Sequence, residues 1–84
     1  MEKYKITAGI DGMMCGMCEA HICDTVRNVF PDASKVSASR KKGTVSFVLS
    51  GPVDVEKLKK AVGQTGYSVT SVTSEPYRPR FLFG

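Results

Sequence analysis

Residues 5–29 have the sequence KITAGIDGMMCGMCEAHICDTVRNV, in which the spacing of apolar residues changes partway along. The first part alternates, with its apolar residues at Ile6, Ala8 and Ile10. After a break at Asp11-Gly12, the second part repeats every three or four residues, at Cys18, Ile22, Val26 and Val29. Alternation is typical of a half-buried strand, and the longer repeat is typical of a helix with one buried stripe. The stretch therefore predicts a strand that leads directly into a helix.

The rest of the chain predicts three more strands and a second helix. These are strands over 33–39, 44–49 and 67–73, and a helix that follows Asp54. Gly43 is suited to the turn between the second and third strands, and Asp54 is an expected N-cap. The resulting order, β-α-β-β-α-β, predicts an α+β, ferredoxin-like fold. In that fold two helices cover one face of a four-stranded antiparallel sheet.

Length and composition limit the classes of function. The chain has 84 residues, which predicts one small domain and disfavours a large multi-step active site. Its longest apolar runs are a few residues, whereas a membrane span needs about 20. No apolar leader segment follows Met1, which favours a cytoplasmic location. The net charge of +4 fits an acidic partner, weak nucleic-acid attraction or simple solubility, and does not choose among them.

The last ten residues differ in character from the rest. We predict a domain over 1–74 and a tail over 75–84. Pro76 and Pro79 disfavour a regular strand in the tail. Its large apolar residues either fold back onto the domain or contact another molecule; they are Tyr77, Phe81, Leu82 and Phe83.

Three cysteines, Cys15, Cys18 and Cys23, lie within nine residues. An odd, crowded set does not fit a disulfide scaffold and suggests metal or redox chemistry. Cys15 and Cys18 form a CxxC at the predicted strand-to-helix junction, where the positive end of a helix dipole stabilises thiolates. Two thiolates suit a soft ion such as Cu(I), whereas a structural zinc site needs four ligands. The residues alone leave a redox dithiol pair and inert thiols open as alternatives.

Two short motifs resemble those of a known family. Gly12-Met13-x-Cys15-x-x-Cys18 resembles the GMxCxxC motif of the heavy-metal-associated domain, and Gly66-Tyr67-Ser-Val69 resembles the family's GYxV segment before its last strand. The similarity extends over roughly residues 3–74. This family includes small cytosolic copper chaperones and the amino-terminal modules of copper-transporting P-type ATPases, and it has the same order of elements.

The resemblance implies a carrier of one soft metal ion per chain, usually Cu(I), and not an enzyme. Cys15 and Cys18 would bind the ion and pass it to a P-type metal-transporting ATPase, or to its metal-binding domains, by thiolate exchange. Met13 would lie in the core and brace the loop, and Tyr67 would lie close to the site. Alternatives are a module of a heavy-metal ATPase, a carrier of Zn(II), Cd(II) or Hg(II), or a CxxC dithiol oxidoreductase.

Several neighbouring residues qualify this reading. Met14 stands where zinc-type modules often have Asp, which favours Cu(I). Met17 is expected at an apolar rim rather than as a weak third ligand. Cys23 and His21 are expected outside the site, and the basic turn Arg40–Lys42 is expected to be solvated. We expect no nucleic-acid partner, no membrane insertion, and a monomer without metal; a metal-bridged dimer stays open.

Overall fold

The structure is a computed structural model that describes residues 3–13 and 16–77. Its elements are β1 (Tyr4–Asp11), α1 (Gly16–Val29), β2 (Ser34–Ser39), β3 (Thr44–Leu49), α2 (Val55–Gln64) and β4 (Ser68–Pro76). The predicted β-α-β-β-α-β order is confirmed. Across these ranges, neither helix has the length and apolar character that crossing a bilayer requires.

The four strands form one antiparallel sheet in the order β2-β3-β1-β4. Gly9 pairs with Thr44 of β3, and Asp11 pairs with Ser68 of β4. The last residues of β1 therefore lie at the same end of the sheet as the first residues of β3 and β4. We call this end of the sheet the loop end; it comprises Gly12 with the start of α1, the turn over 40–43 and the connection over 65–67.

The core lies between the two helices and one face of the sheet. Alternate residues of β1 and β3 are buried there; they are Ile6, Ala8, Ile10, Val45, Phe47 and Leu49. The helices contribute Ile22, Val26, Leu58 and Val62, all fully buried. Each large side chain of this kind contributes roughly 1.5–3 kcal/mol when buried. This packing holds α1 and α2 against the sheet, so their starting points are fixed relative to the strands.

Two irregularities in the sheet were not predicted. The register of β2 against β3 shifts between Ser34 and Ser37, and Lys35 within the shift has a φ of 53°. The register of β1 against β4 shifts between Gly9 and Ile10. A Cβ added at Gly9 would lie 2.5 Å from the Thr70 Oγ1 and 2.8 Å from the Ser71 Oγ, so a larger residue there would force these hydroxyl groups to move.

The last strand is longer than predicted. It extends through Pro76, which pairs with Tyr4, so the expectation that this proline lies outside a strand is wrong. In the part of the chain that the structure describes, β4 is an edge strand whose one neighbour is β1, and proline is tolerated in such a strand. The Tyr77 backbone N–H then donates to the Lys3 carbonyl at 2.8 Å. The rest of the tail, with the apolar residues expected to fold back, lies outside the described residues, and the boundary at 74 stays a prediction.

Candidate metal site

The segment between β1 and α1 contains the predicted ligands. Cys18 lies in the first turn of α1, which begins at Gly16, and its half-buried side chain packs against the core. The first-turn N–H groups of a helix have no partner within the helix, and the positive end of the dipole lies there. Both features stabilise a thiolate at this position. Cys15 and Met14 lie outside the described residues, so the pairing of the two thiols stays a prediction.

Met13 anchors the start of this segment. Its side chain is only 5% exposed and belongs to the core cluster, in agreement with the position that the resemblance implies. Gly12, directly before it, has a φ of 100°, a conformation that favours glycine. The chain therefore turns sharply at the end of β1 and places Met13 in the core, two residues before Cys15.

Tyr67 reaches the same segment from the other half of the chain. It follows Gly66, whose φ of 95° forms the turn after α2, and its ring is partly buried against the core. A Cβ added at Gly12 would lie 3.3 Å from the Tyr67 Cδ1. The ring therefore lies beside Gly12, three residues before the first predicted ligand in the chain. The roles of Met13 as a brace of the metal-binding loop and of Tyr67 as a neighbour of the bound metal stay predictions.

Arg40 is not simply solvated, contrary to the expectation for its turn. Its backbone N–H donates to the Glu19 Oε2 at 2.8 Å, and its Nη1 lies 3.8 Å from the Glu19 Oε1. The same Nη1 lies 3.6 Å from the position that a Cβ on Gly16 would occupy. The turn between β2 and β3 is thus joined to the first turn of α1. Sequence reasoning missed this contact because the two residues are 21 positions apart and belong to no shared motif.

The other candidates are arranged along α1. Met17, beside Cys18, is 71% exposed, and His21 is also exposed. Cys23 is half-buried, and burial raises the pKa of its thiol; Arg27 opposes this effect, while Asp24 adds to it. A protonated thiol is a poor metal ligand. Within 3–13 and 16–77, no group of three or more His, Cys, Asp or Glu side chains is placed to hold a metal ion.

Comparison with known proteins agrees with this arrangement. The sequence profile of the heavy-metal-associated domain matches residues 8–68. The chain is 30% identical over 74 residues to a copper-exporting P-type ATPase of Staphylococcus saprophyticus, which covers 88% of this chain and 9% of the ATPase. It is 28% identical over 72 residues to a mercuric reductase of Lysinibacillus sphaericus, which covers 86% of this chain and 12% of the reductase.

The structural comparison concerns the fold. The solved structure of the CopZ metallochaperone superposes with a TM-score of 0.66 at 24% identity, covering 79% of this chain and 98% of CopZ. The chain spans only about a tenth of the length of the curated relatives that it matches. The profile match, in contrast, includes most of the described residues, from the middle of β1 to the start of β4. The chain therefore belongs to the heavy-metal-associated domain family.

Proposed function

We propose that this chain carries one Cu(I) ion, bound by the thiolates of Cys15 and Cys18, and passes it to a partner with the same dithiol motif. The observation that carries the proposal is the position of Cys18, in the first turn of a helix that a buried core holds at the loop end. The CxxC spacing puts Cys15 directly before that helix. Soft sulfur ligands select Cu(I) among common metal ions, and two thiolates suffice for it.

The transfer is an exchange of ligands. Both thiols lose their protons when the ion binds, so binding weakens as the pH falls. A two-coordinate ion keeps an open side at which a partner's thiolate forms a third bond before one of the original bonds breaks. The exposure of Met17 beside Cys18 supports access to this side. The protein forms and breaks only metal–sulfur bonds, and in this proposal it is a carrier and not an enzyme.

The similarity to a copper-exporting P-type ATPase supports a copper transporter as the partner. The same similarity supports an alternative, in which this sequence is itself the metal-binding segment of such a transporter. In either case the metal is received and released on the cytoplasmic side, and the chain is a monomer without metal.

Mercury is the second candidate cargo, because a mercuric reductase is among the similar proteins. Hg(II), like Cu(I), is a soft ion that two thiolates can hold. Zn(II) and Cd(II) are weaker candidates, because a closed site for zinc needs four ligands and the CxxC supplies two. A dithiol oxidoreductase is the remaining alternative, and catalytic reduction of insulin disulfides by the chain would favour it.

The proposal is tested by titrating the reduced chain with Cu(I) in competition with a chromogenic Cu(I) chelator. We expect one ion per chain, with two sulfur ligands by X-ray absorption spectroscopy. Cys15→Ser and Cys18→Ser should each abolish tight binding, and Cys23→Ser serves as the matched control because Cys23 lies on the same helix as Cys18. A loss of binding in Cys23→Ser as large as in the other two would contradict the proposed ligand pair.

A further inference from the structure

We propose that the segment over residues 78–83, part of the tail, docks into a cleft at the end of the sheet opposite the loop end. The sequence leaves two possibilities open for this segment, contact with the domain or contact with another molecule, and the proposal commits to the first. It concerns residues outside the proposed metal site, so it holds or fails independently of the proposed function.

The cleft lies between the end of α1, the end of β3 and the start of α2. It has a volume of about 300 Å³ and is lined by residues 29–32, residues 49–52 and Lys57; we call it the distal cleft. Val29, Phe30 and Leu49 give it apolar walls, and the Phe30 ring stacks on the buried Phe47 ring with centroids 5.8 Å apart. A cleft of this volume is at the lower end of the range for ligand pockets, so it suits a few side chains better than a large ligand.

The described part of the chain ends beside the distal cleft. Tyr77 donates its backbone N–H to the Lys3 carbonyl at 2.8 Å, and the next residue of β1, Tyr4, pairs with Leu49 of β3. Neighbouring strands are about 4.8 Å apart, so Tyr77 lies two strand spacings, roughly 10 Å, from Leu49. An extended chain covers about 3.3 Å per residue, so the four residues from Tyr77 to Phe81 span about 13 Å. The segment is therefore long enough to reach the cleft without any change in β4.

The residue types of the segment suit an apolar cleft. Its sequence is Arg78-Pro79-Arg80-Phe81-Leu82-Phe83. Pro79 favours an extended backbone at its own position and at Arg78 before it. In an extended chain the side chains of Phe81 and Phe83 are directed to the same side, and that of Leu82 to the other. The two rings can therefore enter the cleft together, with Leu82 directed away from it.

The charges around the cleft agree with this occupant. Asp32 is exposed in the lining, and among residues 3–13 and 16–77 its carboxylate has no ion-pair partner. Arg78 and Arg80 supply two guanidinium groups that can pair with it. Lys57, the basic residue of the lining, is exposed and can keep its ammonium group in solvent. An exposed ion pair stabilises little, so the rings hold the segment and the ion pair orients it.

Attachment to the domain favours this segment over a separate molecule. The hydrogen bond of Tyr77 fixes the start of the segment near the cleft, and only a few residues separate it from Phe81. Groups joined by such a short tether have effective concentrations in the millimolar range. Docking then removes the rings and the walls of the cleft from water, which stabilises the folded chain.

Nuclear magnetic resonance of the reduced full chain without metal tests the contact directly. We expect nuclear Overhauser effects between the ring protons of Phe81 and Phe83 and the methyl groups of Val29 and Leu49. In an equal mixture of isotope-labelled and unlabelled chains, isotope filtering should show that these contacts occur within one chain. The proposal is overturned if the rings make no such contacts, contact a second copy instead, or contact another surface of the domain.

Substitutions test whether docking stabilises the fold. Phe81→Ser should raise the equilibrium constant for unfolding in urea about tenfold, because a partly buried ring loses its apolar contacts. The matched control is Leu82→Ser, which removes an apolar side chain from the neighbouring position and should change this constant by less than about twofold. A change in Phe81→Ser no larger than that in Leu82→Ser would contradict docking of the ring.

Metal binding separates this proposal from the proposed function. Cu(I) affinity in Phe81→Ser should stay within about twofold of the unsubstituted chain, because the distal cleft and the loop end lie at opposite ends of the sheet. A larger loss would indicate that the segment lies at the loop end, and would overturn the docking proposal. The proposed function fails separately, if Cys18→Ser binds Cu(I) as tightly as the unsubstituted chain.

Discussion

The two helices begin in different ways, although each follows a strand and a short loop. α2 begins at Val55 after Asp54, whose Oδ1 accepts the Lys57 backbone N–H at 3.1 Å. α1 begins at Gly16 after Cys15, so the chain has a thiol where α2 has a carboxylate. A capping carboxylate satisfies the first turn from within the protein. In our proposal, the start of α1 instead stabilises a metal-thiolate complex.

Replacing Cys15, the residue before α1, with aspartate, the residue type that precedes α2, should have the largest effect on Cu(I) affinity. Cys15→Asp removes one of the two proposed ligands and supplies a residue type favoured at helix starts. We expect Cu(I) affinity to fall by well over about 100-fold, because even the loss of a group that only supports a ligand costs about 10–100-fold. Competition with a Cu(I) chelator measures the affinity, and thermal unfolding of the apo chain should show stability at least equal to that of the unsubstituted chain. Retention of tight binding would exclude Cys15 as a ligand.

The loops before the helices also differ, and a matched pair of glycines tests this. Gly12 has a φ of 100° and the Tyr67 ring beside it, whereas a Cβ added at Gly51 would meet no atom of residues 3–13 or 16–77 within 4 Å. Each glycine stands four residues before its helix. Gly12→Ala should lower the free energy of unfolding by about 1–2 kcal/mol, because an alanine there adopts a left-handed conformation. Gly51→Ala should change it by less than about 0.5 kcal/mol in urea unfolding, and equal losses would contradict the difference.

Removing the cap of α2 should affect stability alone. Asp54→Ala should lower the free energy of unfolding by about 1 kcal/mol, since the Lys57 N–H loses its acceptor. Asp54→Asn keeps an acceptor oxygen and is the control, with a smaller loss. Cu(I) affinity should be unchanged in both variants, because α2 starts at the end of the sheet opposite the loop end. A change in affinity would show that the two helix starts are coupled.

The smallest effect is expected within α1 at Cys23, the third thiol of the chain. Burial raises the pKa of the Cys23 thiol, so this thiol is mostly protonated near neutral pH. The stability that the protonated thiol adds to the folded chain is lost as the pH rises from the ordinary pKa of a cysteine through the raised pKa of Cys23. In a Cys15→Ser/Cys18→Ser variant, alkylation of Cys23 near neutral pH should be slower in the folded chain than in urea. Equal rates would contradict its partial burial. Cys23→Ser alone should change Cu(I) affinity by less than about twofold, as expected for a group outside the site.

Much of the fold was predictable because local signals agree with one another. The change in apolar spacing between Ile10 and Cys18 marks the strand-to-helix junction. Gly43 and Gly66 were expected at a turn and at the end of a helix, and both have positive φ values. Asp54 caps the helix that it was expected to cap. Each of these features depends on residues close together in the chain, and a single sequence records such features directly.

The features that were missed depend on residues far apart in the chain. The contact between Glu19 and Arg40 exists because the fold brings the start of α1 beside the turn after β2. The tight packing around Gly9 arises from the Thr70 hydroxyl on the neighbouring strand. The strand status of Pro76 depends on β4 being at the edge of the sheet. In each case the chemistry of the residue allowed several environments, and only the tertiary arrangement selected one.

The hydrogen bond between Tyr77 and Lys3 has a consequence for how the domain can be attached to other structures. It holds the two ends of the described chain together at the start of β1, an eight-residue strand that separates them from Gly12 by about 25 Å. A linker or a solid support joined to the chain near Lys3 or near Tyr77 would therefore leave the loop end facing away from the attachment. Such a domain can be tethered, or fused in series with others, without covering the surface at which we propose that the metal ion is exchanged.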